Sequence, residues 1–156
     1  METPMLTRRN FVLTAMAAPA AGLLATPALA MTPEVFAVDG LAIRGYDPVA
    51  YFKEQTDVEG SAEQSIVWKG AEWRFASAEN LADFESNPER WAPQYGGYCA
   101  FAVAKGYTAK TEANAWSIHN DKLYLNFSRA VRARWALNKD GFIKDADANW
   151  PQVLNA

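Results

Sequence analysis

The stretch Ser65-Ile66-Val67-Trp68-Lys69-Gly70-Ala71-Glu72-Trp73-Arg74-Phe75-Ala76-Ser77 decides the fold. Ile66 and Trp68 stand two apart, and Trp73 and Phe75 alternate with Glu72 and Arg74, the period of a strand. Lys69-Gly70 between them supplies a turn, so the run predicts a β-hairpin with one aromatic face. Ser77 then predicts the N-cap of a helix over Ala78 to about Ser86, with Leu81 and Phe84 inward. Asn87-Pro88 ends it, because the ring of proline disfavours helical backbone in the preceding residue.

The same order recurs later. Trp116 to Phe127 predicts a second hairpin that turns at Asn120-Asp121, with Leu123, Leu125 and Phe127 on one face. Ser128 predicts the cap of a helix to about Leu137, with Val131 and Trp135 four residues apart. Phe142, Ala146 and Trp150 repeat every four residues and predict a last short helix that Pro151 ends. Upstream, Thr32 to Gly45 reads as extended chain broken at Asp39-Gly40, and Gly45-Tyr46-Asp47-Pro48 as a turn. Val49 to Phe52 reads as a short buried strand or helical turn, and Lys53 to Gln64 as an exposed loop. Trp91 to Tyr98 reads as a loop, and Cys99 to Lys105 as buried helix or strand. The expectation is an α+β fold: one small domain of β-hairpins, each followed by a helix, with no linker.

Composition agrees with one domain. The 156 residues are 50% hydrophobic and 21% charged, an apolar share that can bury enough surface to offset chain entropy. One Cys, one His and four Met exclude a disulfide framework, an iron–sulfur cluster and a multi-Cys zinc module. A net charge of −3 without a basic run argues against a nucleic-acid partner, whose phosphates need neutralising.

The first thirty residues read as an address. Thr7-Arg8-Arg9-Asn10-Phe11-Val12-Leu13 looks like a twin-arginine export signal. Met16 to Leu29 is Ala-rich and carries Pro19 and Pro27, which discourage a membrane-spanning helix. Ala28-Leu29-Ala30 is a small-x-small cleavage site, and no Cys follows it to accept a lipid. The expectation is a cleaved signal peptide over residues 1–30 and a folded domain over 31–156. The twin-arginine translocase is then a partner during export, the location is periplasmic, and no membrane anchor remains. Removing Glu2, Arg8 and Arg9 leaves a 126-residue domain of net charge −4, with Met31 its first residue and its one methionine.

Several blocks resemble the YHS-domain family. Gly45-Tyr46-Asp47-Pro48-Val49-Ala50-Tyr51-Phe52 is similar to the family's opening, and Gly70-Ala71-Glu72-Trp73-Arg74-Phe75-Ala76-Ser77 with Asn87-Pro88 to its later part. Pro93-Gln94-Tyr95-Gly96-Gly97-Tyr98-Cys99-Ala100, Lys122-Leu123-Tyr124-Leu125-Asn126 and Asn149-Trp150-Pro151 are similar to a longer, exported subgroup. The resemblance covers nearly all of residues 40–154 and implies a metal-associated domain. The short form of the family has Cys after Asp-Pro-Val and again between the Phe and Ser before the helix. Here those positions are Ala50 and Ala76, and a methyl group cannot bind metal.

The candidate chemistry is correspondingly sparse. Cys99 reads as a soft metal ligand, as a nucleophile if its pKa is depressed, or as a buried apolar residue. His119, beside the Asn120-Asp121 turn, reads as a metal ligand or as a surface histidine. A Cys99–His119 metal pair would need a further ligand, and copper, which accepts soft donors at low coordination, is the metal it would suit. Asp47 reads as a turn cap rather than as an acid or base. Trp68, Trp73 and Phe75 line a groove or form core. Tyr95-Gly96-Gly97-Tyr98 allows close backbone approach, so Tyr95, Tyr98 and Cys99 are the candidate ligand-binding residues, a tight packing turn being the alternative. The functional expectation is a non-catalytic binding module for copper or another small ligand. The alternatives are an interaction module that has lost its metal site and a thiol redox protein using Cys99.

Overall fold

The structure is a computed structural model and describes residues 30–156. The expected leader, except for Ala30, lies outside the described residues. The chain folds as a single α+β domain. Strands β1 (Ala37–Val38) and β2 (Leu41–Ala42) form a small antiparallel pair around the Asp39-Gly40 turn. Helix α1 (Ala50–Lys53) follows, which resolves the Val49–Phe52 ambiguity in favour of a helical turn. Strands β3 (Ser61–Trp68) and β4 (Ala71–Phe75) form the aromatic hairpin, with Lys69 (φ 50) and Gly70 (φ 78) left-handed in its turn. Such paired positive φ values match the twist of the flanking strands.

Helix α2 (Ala78–Ser86) starts where Ser77 accepts a hydrogen bond from the Asn80 amide at 3.1 Å. Pro88 stops it and opens a further turn of helix, α3 (Pro88–Trp91), which reaches the first residue of the Trp91–Tyr98 segment expected to be loop. Helix α4 (Ala100–Ala104) settles the next segment as helix. Strands β5 (Trp116–His119) and β6 (Lys122–Leu125) form the second hairpin. Helix α5 (Arg129–Ala136) is capped by Ser128 accepting from Val131 N at 3.1 Å, and α6 (Lys139–Asn149) closes the domain before Pro151.

Three expectations are corrected. Strand β3 begins at Ser61, not Ser65; Ser61 pairs with Phe75 across a register shift that the polar run Ser61–Gln64 hides. The Lys53–Gln64 loop is therefore shorter, and it is stitched down by a Tyr46–Glu59 bridge. Phe127 does not share the buried face of Leu123 and Leu125; it lies beyond β6 and is 42% exposed.

The four-stranded sheet has the order β1-β2-β4-β3, and β5-β6 stands as a separate two-stranded sheet. Two cores result. The first joins Val49, Tyr51, Trp73, Phe75 and Phe84 with Leu123 and Leu125. The second joins Tyr95, Tyr98, Val103, Trp135 and Ala146 with Tyr124. Strand β6 is therefore buried on both faces: Leu123 and Leu125 serve one core and Tyr124 the other. No helix of the described residues is long and apolar enough to cross a membrane.

Candidate functional site

Asp47 is fully buried, and its carboxylate fastens two distant segments. One oxygen accepts from Val49 N at 2.8 Å and Ala50 N at 3.3 Å, at the start of α1. The other accepts from Ala76 N at 2.8 Å and from the Asn80 side-chain amide at 2.7 Å, at the start of α2. With all four donors supplied by the protein, the carboxylate acts as the local cap that the turn sequence predicted, extended to a second element. Tyr51 adds a second tie, its hydroxyl donating to Ala113 O at 2.8 Å. Burial holds that hydroxyl well above the usual tyrosine pKa, so it stays a donor.

The Tyr95-Gly96-Gly97 segment is a turn of 3-10 helix (Gln94–Gly97) with Tyr95 at φ 58 and Gly96 at φ 62. The left-handed backbone brings Gly96 against the incoming chain, where its carbonyl accepts from Phe36 N at 2.9 Å. Thr111 Oγ1 donates to Gly97 O at 2.7 Å and fixes the other side. Tyr95 itself donates to Asp147 Oδ1 at 2.8 Å. Burial, then the hydrogen bond to that carboxylate, keeps the Tyr95 hydroxyl protonated well above its ordinary range.

Beside this turn opens a cleft of about 310 Å³. Trp68 and Trp73 line it from the first hairpin, Tyr95 from the turn, and Trp150 from the end of α6. The first pair packs edge-on with ring centroids 5.5 Å apart, and Tyr95 meets Trp150 at 6.0 Å. Since Trp73 belongs to the first core and Tyr95 to the second, the cleft sits where the two meet. Lys69 in the hairpin turn reaches Glu34 at 2.7 Å and Glu89 at 3.1 Å, and its ammonium lies 4.7 Å over the Trp68 ring. Partial burial works against its charge, but the two carboxylate hydrogen bonds outweigh it and raise the lysine pKa.

The residues that the sequence groups are separated here. Tyr95 lines the cleft, whereas Tyr98 packs in the second core and donates to Pro33 O at 2.8 Å. Cys99 is 1% exposed; its sulfur accepts from Phe127 N at 3.2 Å and lies 3.6 Å from Asn126 Oδ1. His119 sits at the tip of the second hairpin, paired in register with Lys122, and its Nε2 meets Asp140 Oδ1 at 2.9 Å. Cys99 touches the other end of the hairpin, at Asn126, four residues of extended chain from Lys122. That is about 13 Å at ~3.3 Å per residue, so the two side chains do not share a coordination sphere. Among the described residues no group of three or more His, Cys, Asp or Glu is placed to hold a metal ion. Of the three aromatics weighed as a groove, Trp68 and Trp73 line the cleft and Phe75 is wholly core. Glu34, Lys69, Glu89, Asp147 and Trp150 carried no site signal in sequence, because they stand far apart along the chain and meet only in the fold.

Burial pushes the Cys99 thiol above its ordinary pKa, although backbone hydrogen bonds to the sulfur oppose this. The thiolate is the nucleophile, so the native protein holds less of it at pH 8 than the unfolded chain does. Iodoacetamide is therefore expected to label native Cys99 at least about tenfold more slowly than the urea-unfolded chain at pH 8, burial adding to the thiolate deficit. The native rate should climb as pH rises toward the raised pKa. Equal labelling of both states would show the thiol to be as accessible and as ionised as in the unfolded chain, and faster labelling of the native protein would show it to be activated.

Comparison with protein-family models, with curated proteins and with solved structures returns no match.

Proposed function

We propose that this chain is an exported, non-catalytic binding module that seats a small organic molecule in the cleft between Trp68, Tyr95 and Trp150. The observation that carries this reading is the cleft itself. Its volume of about 310 Å³ matches the lower bound of small-molecule sites, about 300–1,000 Å³, and its aromatic walls are braced by two separate cores. Polar groups converge on it from four parts of the chain: Glu34, Lys69, Glu89 and Asp147. In this reading the YHS-like blocks build the frame, and the ligand is organic rather than copper, because Cys99 and His119 lie at opposite ends of a hairpin.

The six tryptophans make the test direct, since each indole N–H gives its own proton–nitrogen signal. Titration with a set of cationic, neutral and anionic fragments is expected to shift the signals of Trp68 and Trp150 while Trp135, buried in the second core, stays put. No response from any fragment at those indoles would overturn the reading.

A second reading is an interaction module that has lost the thiol pair of the family it resembles. One observation favours it: Ala50 N and Ala76 N both donate to the Asp47 carboxylate, so the two positions converge in space and both carry methyl groups. It predicts silence in the same titration.

A further inference from the structure

The charges around the cleft are unequal. Three carboxylates, Glu34, Glu89 and Asp147, line it against one ammonium, that of Lys69, a balance of −2. The ammonium is also fully engaged, held between Glu34 and Glu89 and over the face of Trp68. An aromatic face with carboxylates beside it is the environment that favours a desolvated ammonium, because the ring quadrupole and the anions attract it together. The protein thus already stabilises one cation on the wall of its own cleft.

Asp147, on α6, repeats the pattern elsewhere in the lining. It is exposed, and one of its oxygens accepts from Tyr95. Its other oxygen meets no protein donor among the described residues, and Trp150 and Tyr95 stand in the same lining. A second aromatic and carboxylate combination is therefore present, without a cation of the protein's own. An anionic ligand would face three carboxylates and would have to detach Lys69 from two partners. A neutral ligand would leave the charge imbalance without use.

We infer that the cleft selects a small organic cation of the alkylammonium type, seated against Trp150 and Tyr95 with Asp147 as its counter-ion. This rests on the reading of the cleft as the binding site and adds its ligand class. Lys69 is then a repelling neighbour of the ligand, which gives a test of unusual sign. Neutralising a lysine in the site should strengthen binding, whereas for any anionic ligand it would weaken it.

The experiment uses the full chain and three molecules of nearly the same shape: choline, its neutral analogue 3,3-dimethyl-1-butanol, and the anion 3,3-dimethylbutanoate. Indole signals report occupancy. Choline is expected to bind at least about fivefold tighter than the alcohol, and the anion more weakly than either. Lys69→Gln is expected to tighten choline about threefold and Asp147→Asn to loosen it about threefold, both effects shrinking in high salt. Both side chains lie at the surface, so neither change threatens the fold. If the alcohol binds as well as choline, or Lys69→Gln weakens choline, the cation inference is overturned while the cleft remains a site. If choline is silent but other fragments still shift Trp68 and Trp150, the ligand class alone is wrong. If no fragment shifts them, the inference and the cleft reading fall together.

Discussion

Asp47→Ala is expected to lower the unfolding free energy by about 3–5 kcal/mol, a large share of the ~5–15 kcal/mol that holds a domain of this size together. Truncation removes one buried charge, which by itself is a gain. It also strips the acceptor from Val49 N, Ala50 N, Ala76 N and the Asn80 amide together. Each donor left unpaired in the interior costs about 1–3 kcal/mol. Asp47→Asn separates charge from shape. It keeps the volume and one acceptor oxygen, but turns an NH₂ group toward donors, so about 2 kcal/mol or more is expected to be lost. Urea unfolding followed by tryptophan fluorescence measures both. A loss below about 1 kcal/mol for Asp47→Ala would mean that the four donors find other partners.

Asp47 also shows what sequence could and could not convey. Its capping role toward Val49 and Ala50 is local, two and three residues away, and the turn residues around it announce it. Its bonds to Ala76 and Asn80 span about thirty residues and have no local mark. The same division runs through the fold. Both hairpin turns and the caps Ser77 and Ser128 were legible, because turn chemistry and capping act over two to four residues. The full length of β3 was not, since a register shift interrupts its pairing between Ser61 and Ser65. Alternation in β6 sets Leu123 and Leu125 on one face, and Tyr124 on the other is 2% exposed as well, because residues of α4, α5 and α6 pack with it in a second core.

The cleft was half legible. Two glycines between Tyr95 and Tyr98 pointed to a place of close backbone approach, and one of those tyrosines does face a cleft. The chemistry of the cleft was hidden, for its carboxylates come from Glu34, Glu89 and Asp147, over a hundred residues of chain. Cys99 and His119 drew notice as rare residue types, but rarity carries no distance, and each is engaged by nearer partners.

Gly96→Ala is expected to be the most damaging single-methyl change in the domain. A Cβ at Gly96 would stand 1.8 Å from the carbonyl oxygen of Glu34 and 2.9 Å from its carbonyl carbon. Neither atom belongs to a flexible side chain, so relief requires the Glu34–Val35 backbone to move. Gly70→Ala is the matched control. Gly70 has φ +78, close to the +62 of Gly96, but nothing lies within 4 Å of its added Cβ. Gly70→Ala therefore bears only the left-handed backbone term, about 1–2 kcal/mol. Gly96→Ala bears that term and the steric one, and about 3–5 kcal/mol in total is expected. The displacement has a local consequence as well, for Glu34 is one of the two carboxylates that hold Lys69 over Trp68. If the domain still folds, the Trp68 indole signal should therefore shift in Gly96→Ala and stay in place in an equally destabilised variant far from the cleft. Equal losses for the two alanine variants would mean that the 34–35 segment yields freely, and that it does not fix the wall of the cleft.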